Sequence, residues 1–192
     1  MTKRTLVATR RSVVIAAGFV AVLWIIEGLD AIVPGQFESN GVRPRSEAGL
    51  TGIVFGPLLH DDWAHLIGNS APLLVLGFLL ALAGVRTFAT VTVLVWLTSG
   101  LGTWLIGGAS TLHVGASGIV FGWIAYLVLR GVFAGNVRQI FVGVVVLFAY
   151  GGALIGVLPG QPGISWEGHL FGAIGGVVAA WWLRGGVEDS QN

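Results

Sequence analysis

The chain has 192 residues, of which 55% are hydrophobic and only 10% charged, with a net charge of +1 and a mean hydropathy of +0.86. Soluble domains carry about 25% charged residues, and a fold of this size has too little interior to hide so much apolar surface from water, so an ordinary soluble domain is excluded and lipid is the natural solvent. The near-neutral balance points to no nucleic acid, and the absence of cysteine excludes disulfides, thiolate metal sites and a cysteine nucleophile.

Lys3, Arg4, Arg10 and Arg11 precede an apolar run over 12–33. That run is long for a signal peptide and no small-x-small cleavage site follows it, so it reads as a first spanning helix. Crossing roughly 30 Å of hydrocarbon takes about 20 residues. Further spans are predicted over 63–84, 87–107, 117–129, 138–158 and 165–183, separated by polar or Gly/Pro-rich breaks at 34–62, 85–86, 108–116, 130–137 and 159–164. The expected organisation is an all-α integral membrane protein: a cytoplasmic tail over 1–11, a six-helix membrane domain over 12–184 and a cytoplasmic tail over 185–192, with no further soluble domain.

Basic residues set the orientation. With the N-terminus inside, Lys3, Arg4, Arg10, Arg11, Arg86, Arg130, Arg138 and Arg184 fall on the inner side, and Arg43 and Arg45 fall outside in the long first loop. Both ends are therefore expected in the cytoplasm. Trp63, Trp104 and Trp166 then mark the outer interface, and Trp181 and Trp182 the inner one. The fourth span is short: from Ser117 to Arg130 it rises roughly 20 Å, about 10 Å less than the hydrocarbon is thick. If Arg130 sits at the inner interface, Ser117 lies inside the membrane. The preceding loop at 108–116 must then dip to meet it, which is tolerated only where backbone is buried in protein or lines a wet cavity.

Ionisable groups within spans are functional candidates. His169 in the sixth span and Ser117 in the fourth lie within about 3 Å of the same depth by helical rise. Gly168, Gly172 and Gly176 form a small-residue ridge facing a matching Gly118 and Gly122, which predicts a close helix crossing; packing without catalysis is the alternative. His65 and Asn69, one turn apart, share a helix face and suit either hydrogen-bond donation to a developing oxyanion or interhelical polar contact. His60 and His65, five apart, do not share a face well. No HExxH and no carboxylate cluster suggest a metal, and His113 in the loop lines the cavity mouth or is simply solvated, the latter preferred. Glu167 points away from His169 on a helix, so a Ser–His dyad is expected rather than a triad. Gly151 and Gly152 in the fifth span either soften that helix to admit substrate or pack closely.

These residues resemble those of a known family. Gly115-Ala116-Ser117-Gly118 at the start of a span resembles the GxSG motif of rhomboid intramembrane serine proteases. His65-Leu-Ile-Gly-Asn69 resembles their HxxxN motif, and His169-Leu-Phe-Gly172 with Gly176 resembles the His-xx-Gly-xxx-Gly pattern of their sixth helix. The stretch from Gly41-Val42-Arg43-Pro44-Arg45 to Pro57-Leu-Leu-His60 also looks like the loop-to-helix segment of bacterial members. The resemblance implies a six-helix bundle with a re-entrant loop before its fourth helix. It makes Ser117 the nucleophile, His169 the general base and acid, and His65, Asn69 and the Ser117 backbone N–H the oxyanion hole, with Gly115, Gly118, Phe121 and Gly172 packing the site. It implies hydrolysis of peptide bonds in or near the transmembrane segments of membrane-protein substrates, with no cofactor, metal or nucleic acid, from a site opening to the outer side of the cell membrane. Phe121 stands where many members have a tyrosine, and the first loop lacks their Trp-Arg pair. A non-catalytic relative that binds membrane clients would usually lack the serine or the histidine. A transporter or channel would want charged midplane residues or paired broken helices.

Overall fold

The computed structural model describes residues 3–33 and 35–185. Met1 and Thr2 of the expected first tail, and 186–192 of the expected last one, lie outside the described residues. Among the described residues there are seven α-helices and no strand: α1 (Lys3–Asp30), α2 (Glu47–Phe55), α3 (Trp63–Ala81), α4 (Val85–Ile106), α5 (Ser117–Ala134), α6 (Val137–Tyr150) and α7 (Trp166–Trp182). Five segments among them are long and apolar enough to cross a membrane: Thr5–Asp30, Trp63–Ala81, Val85–Ile106, Ser117–Ala134 and Val137–Val157. The expected sixth span forms α7, which is shorter at 17 residues and continues into a 3₁₀ turn at Leu183–Gly185. The protein is a multi-pass membrane protein whose described regular elements are all helices.

Local chemistry sets the helix ends. The side chain of Asp62 caps α3 by accepting from the His65 amide at 2.7 Å, Ser46 caps α2 through the Gly49 amide at 3.0 Å, and Asn136 caps α6 through the Gln139 amide at 3.1 Å; each side chain satisfies a donor that no helical carbonyl reaches. Two expectations change, and the first loop gains detail. The fourth span does not stop at residue 129: α5 runs through Arg130 to Ala134 and ends at Gly135, whose φ of 62° is left-handed. A single arginine with a long stem does not break a helix, so the polar break misplaced its end. The polar break at 34–62 is partly helical, containing α2 and short 3₁₀ turns. Finally, α6 ends at Tyr150 and Gly151–Val157 continues as 3₁₀ helix. A Cβ at Gly152 would meet nothing within 4 Å, so close packing does not explain that glycine.

The helix α5 is central, packing against α3, α4, α6 and α7, while α7 lies against α5 and α4, and α1 against α3. Glycines make the α5–α7 crossing close. A Cβ on Gly172 would run into the carbonyl of Gly118, and one on Gly176 into the carbonyl of Gly122. Deeper in the bundle, Phe19, Phe88 and Trp123 pack ring against ring with centroids 5.4–6.3 Å apart, tying α1, α4 and α5 together. The first loop folds over the same end of the bundle that carries the start of α5. Val42 and His113 exchange both backbone hydrogen bonds at 2.9 and 3.0 Å, and the Gly115 amide donates to the carbonyl of Gly56 at 2.9 Å.

His60 lies just before α3, 2% exposed, with neither ring nitrogen hydrogen-bonded. Burial, and then the neighbouring His65, push its pKa down to about 4. The folded protein therefore holds His60 neutral while the unfolded chain takes up a proton below about 6.5. Stability should fall as pH drops from about 6.5 towards 4, a loss to be read by unfolding at pH 4.5 and 7 and reduced in His60→Phe. A second outcome concerns the crossing. Gly176→Ala should destabilise by about 1–3 kcal/mol through overpacking, whereas Gly152→Ala should be near neutral; parallel unfolding of the two variants checks both.

Candidate active site

Ser117 opens α5 immediately after Gly115 and Ala116. The φ of Gly115 is +110°, and a Cβ there would lie 2.6 Å from both Cε1 and Nε2 of the His65 ring. Only glycine fits, because the backbone is left-handed and the imidazole lies directly against it. As the first residues of a helix, Ser117 and Gly118 have amide groups with no intrahelical carbonyl to bond, and the helix dipole adds partial positive charge at the same point.

His169 enters from α7 one turn after Ser165, whose carbonyl accepts its amide at 3.1 Å. The glycine contacts between α5 and α7 bring the two side chains together. The Ser117 Oγ and His169 Nε2 are 2.8 Å apart. On the other side of the ring, His169 Nδ1 lies 2.9 Å from the carbonyl oxygen of Gly156. A carbonyl can only accept, so the proton sits on Nδ1, Nε2 is the free acceptor, and the Ser117 hydroxyl donates to it. Phe121 stacks on the imidazole with 3.9 Å between centroids and 8° between planes. The ring is thus fixed by a hydrogen bond at each end and an aromatic face. A hydroxyl bonded to an unprotonated imidazole nitrogen can pass over its proton as its oxygen attacks an electrophile.

Ser117, His169, His65 and Asn69 all line one cavity of about 270 Å³. The amide nitrogen of Asn69 is buried without a hydrogen-bond partner. Leaving a buried donor unmatched is costly, and this one lies 3.8 Å from the position of a Cβ on Gly115, beside the start of α5. His65 is part-exposed, and its Nδ1 faces the Asp61 carboxylate at 3.6 Å. Gly118 is held where a Cβ would collide with Ser99 Oγ and approach the Gly168 carbonyl, and Ser99 donates to that carbonyl at 2.8 Å. Four polar residues singled out by spacing, Ser117, His169, His65 and Asn69, are therefore gathered at one place.

One expectation about histidines is corrected. His60 lies before α3 and so shares no helix face with His65, yet the two rings meet with centroids 5.0 Å apart and nearly perpendicular, the backbone between them being extended at Asp62. His113 is not simply solvated. Its Nδ1 is 2.7 Å from Ser165 Oγ and its Nε2 2.6 Å from Thr111 Oγ1. Burial lowers its pKa, partly offset by the nearby Glu167 carboxylate. Through Ser165 it joins the loop before α5 to the start of α7. Glu167 is buried and makes no hydrogen bond to His169. Sequence reasoning missed the Gly156 carbonyl, since a backbone oxygen carries no sequence signal; the His113–Ser165 pair carries only the weak signal of two polar residues flanking apolar helices.

A model of the Rhomboid domain matches residues 47–186. An uncharacterized protein of Mycobacterium tuberculosis, Rv1337, is 50% identical over 173 residues, covering 86% of this chain and 72% of its own length. An uncharacterized protein of Mycobacterium leprae, ML1171, is 49% identical over 173 residues, covering 86% of this chain and 68% of its own. The matched segment contains every one of the cavity-lining residues described above, and the chain belongs to the rhomboid family of intramembrane proteases.

Proposed function

We propose that the chain is a serine endopeptidase that cuts membrane-protein substrates in or near their transmembrane segments with a Ser117–His169 dyad. The observation that carries this reading is the hydrogen-bonded pair itself: a serine hydroxyl at 2.8 Å from an imidazole nitrogen whose partner nitrogen is held protonated by the Gly156 carbonyl. In soluble enzymes a buried carboxylate selects that tautomer. Here a neutral carbonyl does so, avoiding a charge that would be expensive in the membrane.

In the reaction, His169 Nε2 takes the hydroxyl proton as Ser117 Oγ attacks the scissile carbonyl. The negative charge that forms on the carbonyl oxygen is met by the Asn69 amide, His65 and the Ser117 backbone N–H. The imidazolium then gives its proton to the leaving amine. Water drawn from the cavity attacks the acyl-enzyme, with His169 again acting as base and then returning the proton to Ser117. No cofactor or metal has a step in this sequence.

In this reading α7 is the sixth span; its 17 residues rise roughly 25 Å. The loop before α5 is re-entrant. Both termini lie in the cytoplasm, following the basic residues, and the cavity opens to the outer side. Substrates are single-span proteins whose helices unwind readily near small or helix-breaking residues, since attack needs an exposed carbonyl and a stable membrane helix hides its own.

Ser117→Ala and His169→Ala should each abolish cleavage of a tagged single-span reporter, and wild type alone should label with a fluorophosphonate probe. Unlabelled, folded wild type would overturn the assignment. Asn69→Ala should lower kcat by about 10²–10³-fold, the usual cost of one oxyanion donor, with a smaller change in KM; steady-state cleavage of the reporter in proteoliposomes reads both.

A further inference from the structure

Charge is divided between the two ends of the bundle. Among the described residues, Glu27, Asp30, Glu38, Glu47, Asp61, Asp62 and Glu167 all lie at the end that holds the cavity: the last turn of α1, the first loop, and the starts of α3 and α7. The opposite end, where α3 turns into α4 and α5 into α6, carries Arg10, Arg11, Arg86, Arg130, Arg138 and Arg184 and no described carboxylate. At the cavity end the His65 Nδ1 also lies 3.6 Å from the Asp61 carboxylate.

At this basic end a groove of about 190 Å³ opens between the last turn of α3 and the α5–α6 hairpin. Its walls are apolar, from Leu79, Leu82, Leu127 and Val142, and its polar edge is Arg130, Arg138 and Gln139. The edge is built in advance. Gly131 lets α6 approach so closely that a Cβ there would collide with the backbone of Gln139 and Ile140, and the Asn136 amide closes the turn on the Gly131 carbonyl at 3.0 Å. Arg130 donates from Nε to Gln139 Oε1 at 3.0 Å and its guanidinium lies 5.5 Å from the centre of the Tyr126 ring. Among the described residues that leaves its two terminal NH₂ groups without a protein acceptor. A planar pair of free N–H donors matches two oxygens of a phosphate, and Arg138, exposed and without a hydrogen bond to any described residue, adds a second charge at the same edge.

We propose that this groove binds an anionic glycerophospholipid, its phosphate on Arg130 and Arg138 and an acyl chain along the apolar wall formed by α3 and α6. Charge complementarity selects the headgroup: two guanidinium groups with no carboxylate nearby among the described residues attract a net negative phosphodiester and gain much less from a zwitterion whose own ammonium competes. The apolar walls select a lipid over a free anion. Scattered basic residues that merely orient a membrane protein need neither a groove nor a guanidinium held by a glutamine.

The test is native mass spectrometry of the full chain released from detergent with dioleoyl phosphatidylglycerol or dioleoyl phosphatidylcholine added, and with inorganic phosphate as a third arm. Wild type should retain phosphatidylglycerol over phosphatidylcholine. Each arginine near a membrane surface is worth roughly fivefold in affinity for an anionic lipid. Arg138→Gln should therefore weaken retention by about that factor, and Arg130→Gln with Arg138→Gln by more than tenfold. Arg10→Gln with Arg11→Gln, outside the groove, should change it little. Because Arg138 is exposed and bonds no described residue, its substitution reads the site even if the double variant folds poorly. Equal retention of the two lipids, an equal loss in the Arg10/Arg11 variant, or displacement of the lipid by phosphate alone would each overturn the proposal.

Discussion

The close approach of α5 and α7 is the constraint on which the site depends. Where Gly118 and Gly122 present their carbonyls, Gly172 and Gly176 offer no side chain, so the two backbones touch. Lipid gives little hydrophobic drive for helices to associate, and packing of this kind supplies it instead. The same contact sets the functional distance. Ser117 and His169 are each one residue or one turn from these glycines, so a crossing opened by even one methyl group would draw the hydroxyl away from the imidazole. Packing and chemistry are carried by the same few residues.

A second constraint is the handling of polar groups. The catalytic candidates stand at the end of the bundle where α3, α5 and α7 begin, and the first turn of α5 offers amide donors with no charged side chain of its own. His169 is oriented by a backbone carbonyl, Asn69 is left with a free donor, and Phe121 covers the ring with an apolar face. The arrangement keeps the number of buried charges low where they are most expensive while leaving donors and acceptors aimed into one small cavity. The first loop contributes by anchorage: its pairing with His113 and its carbonyl at Gly56 hold the irregular backbone before Ser117 in place.

Much of this was legible in the chain itself. Composition and hydropathy demanded a membrane, since no soluble core could absorb the apolar surface, and glycine spacing announced a close crossing. Ser117, His169, His65 and Asn69 stood out as polar residues at spacings that place them on inward faces. These are local properties: the periodicity of a helix and the cost of a polar group in lipid can be read from a few neighbouring residues.

Only the tertiary structure decided the rest. The Gly156 carbonyl that selects the tautomer of His169 is 13 residues away and has no side chain to betray it. His60 reaches His65 because the chain is extended before α3, and His113 reaches Ser165 across 52 residues because the loop before α5 lies over the start of α7. The end of α5 escaped the polarity pattern because Arg130 is held by Gln139 on the neighbouring helix and so stays within its own. In each case the deciding contact joins segments whose separation in sequence says nothing about their separation in space, and helix packing alone sets that distance.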